Sequence, residues 1–216
     1  MISFVNVFVK YTKEFYALSN VSLTANKGEV VCLLGPKDSG KTCLLRLLAG
    51  LEKADKGEIY VKDIPIEKLD YKSDISMGYI PYKANFFDKK TVYENLKYVL
   101  DIRNVDKNAL EETINKAIID FRLESIADQK IYKLSLFQKY LASIARLSFR
   151  KLDVVLIDNI FEELDPAETK ELIKLFKKYF VNKNTVVLLA TSDENIAKSI
   201  ATRTVCLEYG VITKEI

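Results

Sequence analysis

Hydrophobic and polar positions divide this chain into strand-like ends and a helical middle. Ile2 to Lys10 reads as a strand, a turn follows near Thr12-Lys13-Glu14, and Val21-Ser22-Leu23-Thr24-Ala25 alternates as a second strand. Glu29-Val30-Val31-Cys32-Leu33-Leu34 is a buried apolar run, and Cys43-Leu44-Leu45-Arg46-Leu47-Leu48 carries helical spacing that stops at Gly50, a C′ glycine. Gly57 to Lys62 and Met77 to Ile80 predict two short strands. From about Thr91 to Arg150 the period is helical, with helices opening at the capping box Thr91-Val92-Tyr93-Glu94, over Leu110 to Phe121, and over Ser135 to Ser148. Asp153 to Asp158 is again continuously apolar up to its terminal acid, as in a parallel strand covered on both faces. A helix from about Pro166 to Tyr179, a strand from Thr185 to Ala190, a short helix and a hairpin around Tyr209-Gly210 complete the pattern. Strand–helix alternation at both ends with helices between predicts an α/β core interrupted by a helical insertion.

Candidate chemistry concentrates between the second buried element and the helix after it. Gly35-Pro36-Lys37-Asp38-Ser39-Gly40-Lys41-Thr42 matches G-x-x-x-x-G-K-[ST]. Backbone N–H groups of such a loop wrap a polyphosphate, the lysine reaches the terminal phosphates, and the threonine hydroxyl joins a Mg²⁺ shell. A strand feeding the loop and a helix leaving it supply the anion-binding helix N-terminus that the chemistry needs. Asp38 tolerates unusual backbone angles, so an acid within the loop is compatible with its forming. Asp158, an acid at the end of a buried apolar strand, requires a partner, and metal-bound nucleotide satisfies that requirement.

Composition narrows the chemistry further. At 216 residues, 49% apolar and 29% charged, the chain is an ordinary globular protein of one domain, 1–216. Its net charge of +3 gives no reason to expect nucleic acid, and the Lys/Glu-rich faces between Asp106 and Lys130 read as solvated helix surface. No apolar run approaches the ~18 residues that cross a bilayer, and Met1-Ile2-Ser3-Phe4 lacks the layout of a secretion signal. Cys32, Cys43 and Cys206 have no metal-ligand spacing and are expected as buried free thiols in a reducing cytoplasm. The chain has no histidine, which excludes every imidazole base, switch or ligand. It has seven glycines where average usage gives about fifteen, so ligand-wrapping loops must form without them.

Taken in order along the chain, these motifs resemble the nucleotide-binding subunits of ABC transporters. Tyr11 falls where that family stacks an aromatic ring on adenine; packing is the alternative reading. Leu134-Ser135-Leu136-Phe137-Gln138 falls at the signature Leu-Ser-Gly-Gly-Gln, Leu156-Ile157-Asp158 at the Walker B strand, Leu164-Asp165 at the D-loop and Thr191-Ser192-Asp193 at the switch. The resemblance implies a P-loop NTPase core of ABC type: a mixed sheet flanked by helices, an N-terminal antiparallel β portion, and a helical subdomain over 88–150 inserted between 1–87 and 151–216. It implies ATP and Mg²⁺ held by Tyr11, Gly35, Pro36, Lys37, Asp38, Ser39, Gly40, Lys41, Thr42, Cys43 and Asp158. Thr42 is a metal ligand in that pattern, and Asp158 holds the metal through water.

Four family positions carry other residues. Tyr82 stands at the glutamine of the glutamine loop, Leu136 and Phe137 at the signature glycines, Asn159 at the catalytic glutamate, and Ser192 at the switch histidine. An amide orients water but is no base, and loss of a positioned base typically costs on the order of 10²–10⁴ in rate. Leu136 and Phe137 place side chains where glycine lets a backbone approach the γ-phosphate held by a facing subunit. Ser135 with Gln138, and Asp165 with Glu168, also read simply as helix start signals. The expected function is a subunit that binds Mg-ATP with slow or absent hydrolysis, peripheral on the cytoplasmic face of a membrane. Its partners are transmembrane permease subunits, met through Lys83 to Tyr98 with Phe86 and Phe87 foremost, and a second nucleotide-binding subunit, the same or different. Two alternatives stand beside it: an active ATPase with a displaced base at Glu162 or Glu163, and a nucleotide-sensing scaffold of the same fold.

Overall fold

In the computed structural model, residues 1–12, 15–69, 74–103 and 106–216 are described, and the expected turn at Lys13-Glu14 lies outside them. Contacts divide the chain into two units. One comprises Met1–Tyr82, Leu152–Glu162 and Phe180–Ile216, the other Lys83–Lys151 and Glu163–Tyr179.

The first unit contains two sheets. Strands β1 (Ile2–Lys10), β2 (Tyr16–Ala25), β4 (Lys56–Val61) and β5 (Ile64–Pro65) form an antiparallel sheet in the order β2-β1-β4-β5. The second sheet runs β10-β9-β3-β8-β7-β6, built from β3 (Val30–Leu34), β6 (Met77–Ile80), β7 (Val154–Asp158), β8 (Val186–Thr191), β9 (Arg203–Glu208) and β10 (Val211–Glu215). Its members are parallel except for the edge strand β10, which returns from β9 antiparallel. The mixed sheet and the N-terminal antiparallel portion match the expected fold class.

Helix α1 (Lys41–Leu48) buries Leu44, Leu45, Leu47 and Leu48 in one cluster with Phe4, Leu18 and Val21 of the small sheet and Val31, Leu33, Leu156 and Leu188 of the large one. Each of those leucines is at most 1% exposed. Full burial of such a side chain contributes about 1.5–3 kcal/mol, so α1 is fixed from both sides and its N-terminus with it. Gly50 ends the helix at φ 69, with Leu51 N–H donating to the Arg46 carbonyl and Gly50 N–H to that of Leu47, the Schellman closure expected at a C′ glycine. Helix α6 (Glu194–Ile200) packs against β3 and β8.

The second unit is helical: α2 (Val92–Ile102), α3 (Lys107–Asp120), α4 (Leu136–Leu147) and most of α5 (Pro166–Phe180). Both expected capping boxes form. Thr91 Oγ1 accepts from Glu94 N–H at 3.1 Å, and Ser135 Oγ accepts from Gln138 N–H at 3.2 Å, with the Glu94 and Gln138 side chains reaching back. Asp165 Oδ1 likewise accepts from the N–H groups of Ala167 and Glu168, at 2.8 and 2.9 Å. The thiols depart from expectation: Cys32 is buried, but Cys43 and Cys206 are only partly covered, Cys206 lying on the less buried face of β9 between Val205 and Leu207.

The tip of the β9–β10 hairpin braces the phosphate loop. Tyr209 and Gly210 both have positive φ, 48° and 76°, the geometry of a two-residue type I′ turn. Gly210 N–H donates to the Ser39 carbonyl at 3.1 Å, and its own carbonyl accepts from Ser19 N–H at 2.8 Å. A Cβ on Gly210 would lie 2.6 Å from the Ala17 carbonyl oxygen. Gly210→Ala is therefore expected to destabilise the protein by about 1–3 kcal/mol, read as a lower denaturant midpoint.

Candidate functional site

The large sheet places three loops side by side. In the parallel ladder Leu34 of β3 lies opposite Thr191 of β8, and Asp158 of β7 lies opposite Ala190 of β8. The loops leaving β3, β8 and β7 therefore start at one level, at the carboxyl edge where α/β sheets bind ligands. Gly35 N–H donates to the Thr191 carbonyl at 3.3 Å and Asn159 N–H to the Ala190 carbonyl at 3.1 Å, carrying the ladder one residue past the strands.

The loop from Gly35 to Thr42 closes over the first turn of α1. Gly35 is obligatory for packing: a Cβ there would sit 2.1 Å from the Leu207 carbonyl oxygen. Asp38 takes φ 62, the left-handed conformation that aspartate visits more readily than most residues, so the loop forms without a third glycine. Gly40 is the N-cap of α1 and supplies no side-chain cap, which leaves the N–H groups of the first turn pointing at whatever the loop encloses. Lys41 is 4% exposed. Its ammonium donates to the carbonyls of Gly35 and Pro36, at 2.7 and 2.6 Å, and to Ser39 Oγ at 3.3 Å. Burial lowers the Lys41 pKa, opposed by the charges of Glu162, Asp158 and Asp38.

Asp158 is 2% exposed and held on both oxygens. Thr42 Oγ1 donates to Oδ1 at 2.9 Å and Tyr79 Oη to Oδ2 at 3.2 Å. Burial raises the Asp158 pKa against these bonds, and the Tyr79 phenol is pushed upward by its own burial and by the carboxylate it serves. Tyr79 was not singled out by sequence; only the pairing of β6 with β7, which sets it opposite Leu156, brings it within reach.

One cavity of about 1140 Å³ is lined by Tyr11, Lys37 through Cys43, Tyr82, Asp158, Asn159 and Ser192. Every expected site residue except Gly35 and Pro36 thus lines it, and those two turn their carbonyls to the Lys41 ammonium. Tyr11 is 80% exposed, which removes core packing as the reason for an aromatic ring there. Phe15, also on this wall, has its carbonyl bonded by Tyr11 N–H at 2.8 Å. Cys43 lines the cavity with its pKa pushed up to about 12, first by burial and then by Glu52, so its thiol is protonated and unreactive.

Glu162 stands on the same wall. Its Oε1 accepts from Ser192 N–H at 2.9 Å and from Ser192 Oγ at 2.7 Å. The Asn159 amide, turned so that its nitrogen meets acceptors, donates to that oxygen at 2.9 Å and to the Ala190 carbonyl at 3.3 Å. Asn159 takes φ 50, a left-handed conformation that asparagine favours.

The signature-like segment belongs to the helical unit. Leu136 and Phe137 occupy the first turn of α4 and are half-buried, and Ser135 and Gln138 are spent on its capping box. Among the described residues no helix is long and apolar enough to cross a membrane.

Comparison with known proteins agrees with this layout. The family described as ABC transporter matches residues 18–162. A methionine import ATP-binding protein, MetN 1 of Bacillus thuringiensis subsp. konkukian, is 32% identical over 222 residues, covering 100% of this chain and 66% of that protein. A sulfate/thiosulfate import ATP-binding protein of Cucumis sativus is 31% identical over 203 residues, covering 92% of this chain and 58% of that protein. The chain therefore spans less than two thirds of the length of either relative. Among solved structures, the dimeric post-hydrolysis state of the ATP-binding cassette MJ0796, bound to ADP and Pi, superposes with a TM-score of 0.86 at 26% identity, covering 100% of this chain and 98% of that one. With the phosphate loop, the terminal acid of β7 and the helical unit all in the family's order, this chain belongs to the ABC transporter family, as an ATP-binding cassette.

Proposed function

We propose that this chain is the ATP-binding subunit of an ABC-type transporter and binds Mg-ATP while hydrolysing it slowly or not at all. The observation that carries the reading is the hydrogen bond from Thr42 to Asp158, set beneath an uncapped helix N-terminus beside the buried Lys41. Hard oxygen donors on two adjoining loops suit Mg²⁺, which keeps most of its waters and takes one or two protein oxygens. Thr42 would ligate it and Asp158 would hold its water shell; the cation supplies charge neutralisation at the phosphates. Lys41, released from the Gly35 and Pro36 carbonyls, would exchange two neutral acceptors for charged phosphate oxygens, a stronger pairing. Tyr11 offers its exposed ring to the base.

Slow turnover follows from what the site lacks in the family's own terms. Asn159 offers no carboxylate, Ser192 no imidazole, and Leu136 with Phe137 no bare backbone for a facing subunit's nucleotide. Pairing with a complete subunit leaves one defect in each shared site, so low turnover is expected of a homodimer and of a heterodimer. The import proteins among the relatives support permease subunits as partners and placement at a membrane through them. The docking face expected within Lys83 to Tyr98 carries an exposed aromatic pair. Phe87 and Tyr98 meet edge to face at 4.7 Å and are 46% and 44% exposed, while Phe86 lies beneath the Arg146 guanidinium.

Equilibrium binding of ATP in the presence of Mg²⁺ tests the central claim. Saturable binding, weakened tenfold or more by Lys41→Ala, is expected, since each 1.4 kcal/mol of lost contact is a factor of ten. No binding, or binding indifferent to Lys41→Ala, would reject it. Asn159→Glu is expected not to bring the 10²–10⁴ gain of a well-placed base, because Leu136 and Phe137 remain. Strong recovery in a steady-state ATPase assay would refute the steric part of the reading.

Asp158 gives a pH-dependent prediction. Its folded pKa is raised, so it binds a proton more tightly folded than unfolded, and the ionised form is the destabilising one. That penalty is absent below the unfolded carboxylate pKa and grows as pH rises through the folded value. Asp158→Asn is accordingly expected to raise the melting temperature of the nucleotide-free protein at pH 7, to lose that advantage toward acid pH, and to lose any stabilisation by Mg-ATP. Calorimetry across pH 4 to 8 reads all three.

A further inference from the structure

Glu162 is not among the residues that carry the family resemblance, yet the structure builds a holder for it. The main-chain N–H and the hydroxyl of Ser192 converge on its Oε1, and the Asn159 amide, turned so that its nitrogen meets acceptors, supplies a third donor from a second loop. The Ser192 loop leaves β8 and the Asn159 loop leaves β7, and both start from a ladder in which every residue is buried. Ser192 and Asn159, which read in sequence as losses, are thus a matched pair of donors for one carboxylate. A carboxylate bonded in this way through one oxygen is fixed in place while its other oxygen keeps its own lone pairs to accept from water. Glu162 also shares the cavity with Lys41 and Asp158, and its charge supports the protonated Lys41 ahead of that of Asp158. The carboxylate therefore lines the same cavity as the lysine that would grip a terminal phosphate.

The replacement at 159 has a reason in the same geometry. A glutamate there would set a third carboxylate beside Asp158 and Glu162, and like charges at hydrogen-bonding distance oppose each other's ionisation. An amide instead donates to Glu162 and carries no charge. Asparagine at 159 and glutamate at 162 are chemically complementary, and exchange of either alone breaks the pair.

We propose that Glu162 is the proton acceptor for the hydrolysis that this chain retains, with Asn159 and Ser192 as the residues that position it. A water between Glu162 and the terminal phosphate gives one proton to the carboxylate as its oxygen bonds to phosphorus. The bond from that phosphorus to the bridging oxygen breaks with its electron pair leaving on ADP, inorganic phosphate forms, and Glu162 returns its proton to solvent. Water and ATP are the only reactants. The proposal rests on the nucleotide-binding reading above and deepens it: turnover is slow because closure over the phosphate is obstructed, and what turnover remains runs through Glu162.

The test compares the full chain with Glu162→Gln, Glu162→Ala and Lys41→Ala, measuring Mg-ATP binding, steady-state turnover and the identity of bound nucleotide after acid quench. Glutamine keeps the length and the oxygen that accepts from Ser192, but it is no base. Glu162→Gln should bind ATP within about threefold of wild type, lose about 10²-fold or more in turnover, and retain ATP where wild type has accumulated ADP. Formate should restore part of the turnover of Glu162→Ala, a response that a merely structural glutamate does not give. Turnover of Glu162→Gln within twofold of wild type would overturn the proposal, as would wild-type turnover no greater than that of Lys41→Ala, or no response to formate; ATP binding would survive each of these. Absence of ATP binding by wild type would instead remove the binding reading, and this proposal with it.

Discussion

Two charges sealed from water set the terms for the rest of this molecule. Lys41 and Asp158 are 4% and 2% exposed, and an isolated ion at such depth is untenable without partners. Lys41 is served within its own loop by the Gly35 and Pro36 carbonyls, whereas Asp158 depends on elements far apart in the chain, Thr42 from the phosphate loop and Tyr79 from β6. Those partners meet only because β3, β8, β7 and β6 are neighbours in one parallel ladder with aligned carboxyl ends. The double-faced burial of that ladder is therefore the precondition of the chemistry as well as the core of the fold.

Scarce glycine is placed at several points where backbone meets backbone. Gly35 and Gly210 face carbonyl oxygens that a Cβ would strike, so no other residue fits there. Where only a left-handed turn is needed, at Asp38 and Asn159, a short polar side chain suffices and adds chemistry of its own. Asn159 shows the advantage, since the residue that satisfies the backbone also donates to Glu162.

Much of this was legible in the sequence, and the remainder has a common cause. The phosphate loop, the Gly50 stop and the two capping boxes are local patterns whose partners lie within eight residues, so spacing alone reveals them. The second strand was read too short, from Val21 instead of Tyr16, because three register shifts in its pairing with β1 disturb the two-residue period. Tyr79, the donors that hold Glu162, and the hairpin brace were unreadable as site features for a different reason. Tyr79 lies 79 positions from Asp158 and Glu162 lies 30 from Ser192, and only strand order and register carry such contacts. Glu162 could be named as a spare carboxylate; its holder could not.

The signature segment shows why the fold persists where the family's residues do not. Ser135 and Gln138 satisfy orphan N–H groups at the start of α4, a demand that any sequence with this helix must meet whatever happens at the nucleotide. Leu136 and Phe137 between them carry no such demand, since the first positions of a helix accept most side chains, and there glycine has been replaced. The same separation holds at the phosphate loop, where Gly35 and Lys41 are fixed by packing and burial before any ligand is considered. Positions with a structural demand of their own hold the residues the family resemblance implies, and Leu136 and Phe137, which meet no such demand, do not. The proposed base Glu162 fits this division, because a base needs a rigid place in the cavity, and the donors at Asn159 and Ser192 supply one three residues past Asn159.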